Sequence, residues 1–181
     1  MRIDTERLYL RPLTEADCTP LYLSWLQDPD VNQFLETRHH TQTMETIKQF
    51  VAGVNARDDE HLFGIFLKDG DRHIGNIKVG PIRPYHALAD VSLFIGARDS
   101  WGNGYAAEAI AALSRHAFKK LGVRKLVANM YAPNRGSARA FENVGYRREG
   151  VRRAHYWLGD QPCDLIEYGL LPSDVDTGRA S

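Results

Sequence analysis

The chain has 181 residues, with 23 Lys and Arg against 23 Asp and Glu, so its formal net charge is zero. That length supports one sizeable core rather than two ordinary domains, and the charge balance removes the general electrostatic argument for nucleic-acid binding. Apolar residues at 43% suit a globular fold, no apolar stretch approaches the roughly 20 residues of a membrane span, and Cys18 and Cys163 form neither a disulfide framework nor a zinc spacing.

Leu8 to Leu13 alternates apolar and polar residues, which predicts a strand. Thr14-Glu15-Ala16-Asp17 then offers a helix start running toward Trp25 and Leu26, stopped by Asp28-Pro29. A second helix fits Thr43 to Ala56, with Met44, Ile47, Phe50, Val51 and Val54 on one face. Three strands follow as a meander: Leu62 to Leu67, His73 to Val79, and Ala89 to Gly96. A long helix spans Gly104 to Leu121, burying Ala107, Ile110, Ala111, Ser114, Ala117, Phe118 and Leu121, and Gly122 caps it. Val123 to Tyr131 reads as a strand, and Ser137 to Val144 as a short helix. Two last strands, Arg148 to Leu158 and Asp164 to Leu171, pair across Gly159-Asp160-Gln161-Pro162. This order predicts an α/β (α+β) domain over Met1 to Pro172, a mixed sheet of about seven strands with helices on both faces. Ser173 to Ser181 loses apolar content and is expected to be a flexible tail. The amino terminus lacks an export segment, so the cytoplasm is the expected compartment.

Charge is unevenly placed. Trp101 to Arg153 holds eleven Lys and Arg against three acids, whereas Met1 to Glu60 holds eleven acids against six Lys and Arg. A polyanionic ligand favours the later half and a cationic one the earlier, with ordinary solvated surface as the competing account.

The run from Asp99 to Ala107 joins a predicted strand directly to a helix amino terminus, where free amides and the helix dipole suit a phosphate. Gly102 and Gly104 let the backbone approach a ligand closely. Gly102-Asn103-Gly104-Tyr105-Ala106-Ala107 also satisfies a dinucleotide fingerprint, but that fold wants an acid about 20 residues later, where Arg124 and Lys125 stand.

Together, Asp90 to Gly96, Trp101 to Ala109, Asn134 to Ser137 and Phe141 to Tyr146 resemble the GCN5-related N-acetyltransferases (GNAT). The match runs from Thr5 to Asp164 and is nearest the RimJ/RimL-like branch that acetylates ribosomal-protein amino termini. The resemblance implies acetyl-coenzyme A as co-substrate, direct attack in a ternary complex, and no metal. It implies cofactor contacts at Phe94, Ile95, Gly96, Gly102, Asn103, Gly104, Tyr105, Ala106 and Asn134; the basic Arg135 and Arg139 near the short helix are candidate partners of the coenzyme's 3'-phosphate, with a solvated face as the competing account. The thioester carbonyl is expected at an amide of Phe94-Ile95-Gly96 freed by parting strands. Asp99 departs from the family's Gln or Arg and is expected to point away from the pyrophosphate.

Acetyl transfer needs a neutral amine, a polarised carbonyl and a proton for the thiolate. Many relatives use a tyrosine where Phe141 stands, so the resemblance moves the acid to Ser137, three residues after Asn134; a helix-cap serine is the competing account. Asp90 and Glu36 are the candidate bases or ammonium ligands, and His39, His40, His86 and His155 could titrate near neutrality. Phe34, Tyr85, Tyr156 and Trp157 are candidate walls of the acceptor site. Ile74 to Gly80 with Glu36 to His39 resembles relatives that acetylate amino-sugar nucleotides, which implies a small-molecule amine acceptor such as an amino sugar or an amino-sugar nucleotide, whose phosphates Arg38, Lys78 or Arg83 could meet. A peptide amino terminus is the alternative, and a non-catalytic acyl-coenzyme A-binding module the reading of another class. No nucleic-acid or membrane partner is expected, and a homodimer stays open.

Overall fold

The structure is a computed structural model and describes residues 1–175. Eight strands form one sheet: β1 (Ile3–Asp4), β2 (Leu8–Pro12), β3 (His61–Leu67), β4 (Arg72–Arg83), β5 (Leu88–Ile95), β6 (Lys125–Tyr131), β7 (Arg147–Leu158) and β8 (Gln161–Leu170). Their spatial order is β1-β2-β3-β4-β5-β6-β8-β7, and β5 with β6 is the single parallel pair. The strand beyond the expected seven is β1, too short to carry an alternation signal. A mostly antiparallel sheet of this order rules out the doubly wound dinucleotide fold.

Helices α1 (Pro20–Gln27), α2 (Pro29–Asn32) and α3 (Met44–Asn55) precede β3, while α4 (Tyr105–Lys120), α5 (Arg135–Glu142) and α6 (Pro172–Val175) come later. The helix expected from Thr14 is broken in two, a 3-10 turn at Glu15–Asp17 and then α1, because Thr19 caps a new start and Pro20 takes its first position. Thr43 caps α3 through the Thr46 amide. Ile47, Val51 and Val54 of α3 are buried as predicted, but Phe50 is half-exposed at the rim of a cavity. Part of the expected tail is α6, where Asp174 is buried and pairs with Arg147 at 2.8 Å; the rest lies outside the described residues.

Two apolar layers cover the sheet. One gathers Leu8, Leu10, Ile65, Ile77, Val79 and Val91 under α4, and the other gathers Leu13, Tyr22, Trp25, Ile47, Val51 and Leu62 under α1 and α3. In the buried stripe of α4, Ile110, Ser114 and Ala117 are buried as predicted, but Ala109, Ala112 and Leu113 join them, whereas Ala107, Ala111, Phe118 and Leu121 are partly covered. Small alanines let this helix lie close to the strands, and each fully buried aliphatic side chain contributes about 1.5–3 kcal/mol.

The sheet opens in the middle. β5 and β6 pair only at Leu88 with Lys125, Ala89 with Leu126, and Asp90 with Val127. Beyond that, β5 stays with β4 as far as Ile95, and β6 with β8 as far as Tyr131, so the facing edges part. At the end of β5 a β-carbon on Gly96 would lie 2.1 Å from the Trp25 ring. Gly96→Ala is therefore expected to lower stability by roughly 1–3 kcal/mol, read as a shift in the urea midpoint. An unchanged midpoint would show that Trp25 has room to move.

Candidate active site

The turn ahead of α4 is built for an anion. Gly102 and Gly104 both adopt the left-handed conformation, at φ 77° and 78°. Gly104 is the N-cap and offers no side chain, so among the described residues the amides of Tyr105, Ala106 and Ala107 keep no capping partner. A β-carbon on Gly102 would meet nothing within 4 Å, so the space above the turn is open. Arg7 braces the turn from behind, donating to the Asn103 carbonyl at 2.9 Å and pairing with Glu108 at 2.7 Å. Asp99 is turned to Arg72, 2.6 Å away, which holds its carboxyl below the usual range and neutralises the one acid beside the turn.

Between the parted strands lies a cavity of about 710 Å³. Val91, Ser92, Leu93 and Phe94 line it from β5, Asn129, Met130 and Tyr131 from β6, and Asn134, Ser137 and Phe141 from α5 and its cap. In an antiparallel ladder alternate amides face opposite neighbours. The Gly96 amide donates to Ile74 in β4 at 2.8 Å, so of the three amides expected near the opening it is one that faces away. The same alternation turns the amides of Leu93 and Ile95 toward the opening, and the Trp101 indole donates to the Ile95 carbonyl at 2.8 Å. The sequence gives no sign of Leu93 here, because side-chain type says nothing about where an amide points.

Asn134, not Ser137, caps α5, its Oδ1 accepting from the Ser137 amide at 3.2 Å. Ser137 sits in the first turn, which removes the helix-cap account of this serine. Phe141 is buried edge-to-face on Tyr146. Arg139 is exposed on α5 and does not line the cavity.

At the other end Glu36 lines the cavity, with its side chain 64% exposed. The Tyr131 hydroxyl donates to Glu36 Oε1 and accepts from Arg38 at 2.8 Å. Burial, and then the bond to Glu36, pushes the Tyr131 phenol up. Phe34 and Tyr156 flank the Tyr131 ring at 6.0 and 5.2 Å. Tyr131 escaped the sequence reading because a tyrosine at the end of an apolar strand looks like packing. Tyr85 is 98% exposed and Trp157 65%, and neither lines the cavity.

Asp90 is not brought to this cavity. It lies in a smaller hollow with Glu149, Arg152 and Glu167, and pairs with Arg83 at 2.6 Å. Burial pushes its carboxyl up, against the pull of Arg83 and Lys78. The cations expected to meet a nucleotide's phosphates are also engaged: Lys78 with Glu60 at 3.2 Å, Arg83 with Asp90, and Arg38 with Tyr131 and the carbonyls of Leu35 and Trp157. Most acids of the first sixty residues are likewise paired locally, as Asp17 is with Arg11, Asp28 and Asp30 with Arg98, and Asp59 with Arg57. Glu36 is the only carboxylate among the described residues lining the cavity.

Residues 7–147 match the model of the acetyltransferase (GNAT) domain. The uncharacterized N-acetyltransferase YoaA of Bacillus subtilis is 25% identical over 170 residues, covering 93% of this chain and 96% of that protein. Among solved structures, the ribosomal L7/L12 alpha-N-protein acetyltransferase RimL in complex with coenzyme A superposes with a TM-score of 0.86 at 19% identity, covering 97% of this chain and all (100%) of that one. Spermidine N-acetyltransferase from Vibrio cholerae, in complex with CoA and spermine, gives 0.84 at 17% identity, over 96% and 100% of the two chains. An uncapped glycine turn, a sheet that opens beside it and a match over most of the length converge: the chain belongs to the GNAT acetyltransferase family and is an acetyl-coenzyme A-dependent N-acetyltransferase.

Proposed function

We propose that the acceptor is a small molecule with one primary amine on an otherwise uncharged, partly apolar body, an amino sugar being the leading example. The observation that carries this reading is Glu36, the single lining carboxylate among the described residues, in a cavity whose other walls combine apolar Leu26, Phe34, Ile47 and Phe50 with neutral Gln42 and Asn76 and with Lys78, itself paired with Glu60. A polyamine has two or more ammonium groups to neutralise, and burying the second without a partner is costly. With Arg38, Lys78 and Arg83 engaged, an amino-sugar nucleotide loses the cations its phosphates would need.

Chemically, Glu36 receives the ammonium and takes one proton, leaving a neutral amine. The amine nitrogen attacks the thioester carbonyl carbon, whose oxygen is met by an amide of the opened β5 edge. As the carbon–sulfur bond breaks, Ser137 gives its proton to the departing thiolate and regains one from the nitrogen; the proton on Glu36 goes to water. The products are the acetamide, free coenzyme A and one proton. Gly102 to Ala106 hold the pyrophosphate, and the Asn134 side-chain amide faces the pantetheine arm.

A thiol-release assay against amino sugars, simple monoamines, amino-sugar nucleotides, free-amino-terminal peptides and polyamines tests this. The amino sugars or monoamines are expected to exceed spermidine in kcat/KM by at least about tenfold, the equivalent of about 1.4 kcal/mol. Preference for a polyamine, nucleotide or peptide would overturn the reading. Coenzyme A binding without turnover on any amine would support a non-catalytic binding module instead.

A further inference from the structure

We infer that Tyr131 is a positioning residue for acetyl transfer, orienting the Glu36 carboxylate so that its second oxygen faces the incoming ammonium. This rests on the reading of Glu36 given above and adds a residue to it.

The Tyr131 phenol has a single proton to give. Tyr131 is 4% exposed, so its hydroxyl needs partners within the protein. Arg38 can only donate, so the phenol oxygen accepts from Arg38 and must direct its own proton elsewhere. The acceptor it meets is Glu36 Oε1. Arg38 is itself fixed by the carbonyls of Leu35 at 2.9 Å and Trp157 at 3.3 Å, so the direction of the chain is set from the guanidinium inward.

Glu36 sits at the start of a short 3-10 turn, Glu36–His39, on a loop far from β6 in sequence. A largely exposed glutamate samples several rotamers, and fixing one costs side-chain entropy each time a ligand binds. The bond from Tyr131 fixes it beforehand and occupies Oε1. Oε2 keeps only the His39 ring, 3.9 Å away and itself half-exposed. It is thus the oxygen left to receive an ammonium. Phe34 and Tyr156 hold the Tyr131 ring from both sides, so removing the hydroxyl alone leaves the wall standing.

The test is a double-mutant cycle with Glu36→Gln and Tyr131→Phe, read as acceptor KM and kcat, with the KM for acetyl-coenzyme A and the melting temperature measured on every variant. Tyr131→Phe is expected to lower acceptor kcat/KM about tenfold, as loss of a hydrogen bond to a charged group does. Acetyl-coenzyme A KM is expected to stay within about twofold of wild type. In the Glu36→Gln background the same change is expected to have no further effect, because Tyr131 acts through that carboxylate. Additive losses, or a loss in acetyl-coenzyme A affinity, would make Tyr131 merely structural and overturn the inference. A loss in Glu36→Gln with none in Tyr131→Phe would overturn it and leave Glu36 in place. No loss in Glu36→Gln would remove the reading of Glu36 on which it rests. Coenzyme A binding measured by calorimetry separates a folded, inactive Tyr131→Phe from an unfolded one.

Discussion

Gly104→Val is expected to raise the KM for acetyl-coenzyme A on the order of 100-fold, the equivalent of about 2.7 kcal/mol of lost binding. Gly104 stands at φ 78°, where a β-branched residue is strongly disfavoured, and it is the N-cap from which the free amides of α4 open. Valine pushes the backbone toward an ordinary conformation and turns at least one amide away from the pyrophosphate. A hydrogen bond to a charged group is worth about 1.5–3 kcal/mol, so one lost contact with some misalignment of its neighbours accounts for the effect. The β-carbon would come no nearer than 3.6 Å to Arg7, so crowding inside the protein is not the cause. Initial rates at saturating acceptor, with a melting curve alongside, check it. An unchanged KM would remove the turn from the cofactor site.

Ser137→Ala is expected to lower kcat on the order of 100-fold, within the range that general acid catalysis supplies. The hydroxyl has no hydrogen-bond partner among the described residues, so its removal leaves no group unpaired and stability is expected to stay within about 0.5 kcal/mol of wild type. Asn134 continues to cap α5 through the backbone amide at 137, which alanine retains. The KM for acetyl-coenzyme A is therefore expected to hold, and the loss to fall on turnover. Single-turnover measurement separates the chemical step from product release. A kcat close to wild type would pass the proton to water and strip Ser137 of its role.

The elements legible in the sequence were those set by neighbours along the chain. Alternation marks β2, turn residues set off β3 to β5, branched and apolar content marks β6, and the glycines between Trp101 and Tyr105 announce the helix start that follows. Boundaries moved where a cap competed: Thr19 with Pro20 split the first helix, and Asn134 drew α5 two residues forward. The stripe of α4 was misread because this helix meets the sheet on one side and α5 and α6 on another, which widens its covered face. At the site, the candidate turn and the candidate serine come from local pattern, and the structure puts the serine on the cavity wall. Asp90 was misjudged because nothing near it in sequence shows that Arg83, across the β4–β5 loop, closes on it. Tyr131 was missed for the opposite reason, since its partners are 93 and 95 residues away and only folding brings them to it.

The short pairing of β5 with β6 has a consequence for how the acyl donor is read. Beyond Asp90 and Val127 the two strands present internal edges, lengths of backbone with hydrogen-bonding capacity and no neighbour. An extended arm that carries amides, as pantetheine does, can lie against such an edge much as an added strand would. Recognition of that kind draws on the polymer's repeating groups and asks little of the residues that carry them. A donor held in that way takes its place largely from topology, and side chains are left free to define the amine.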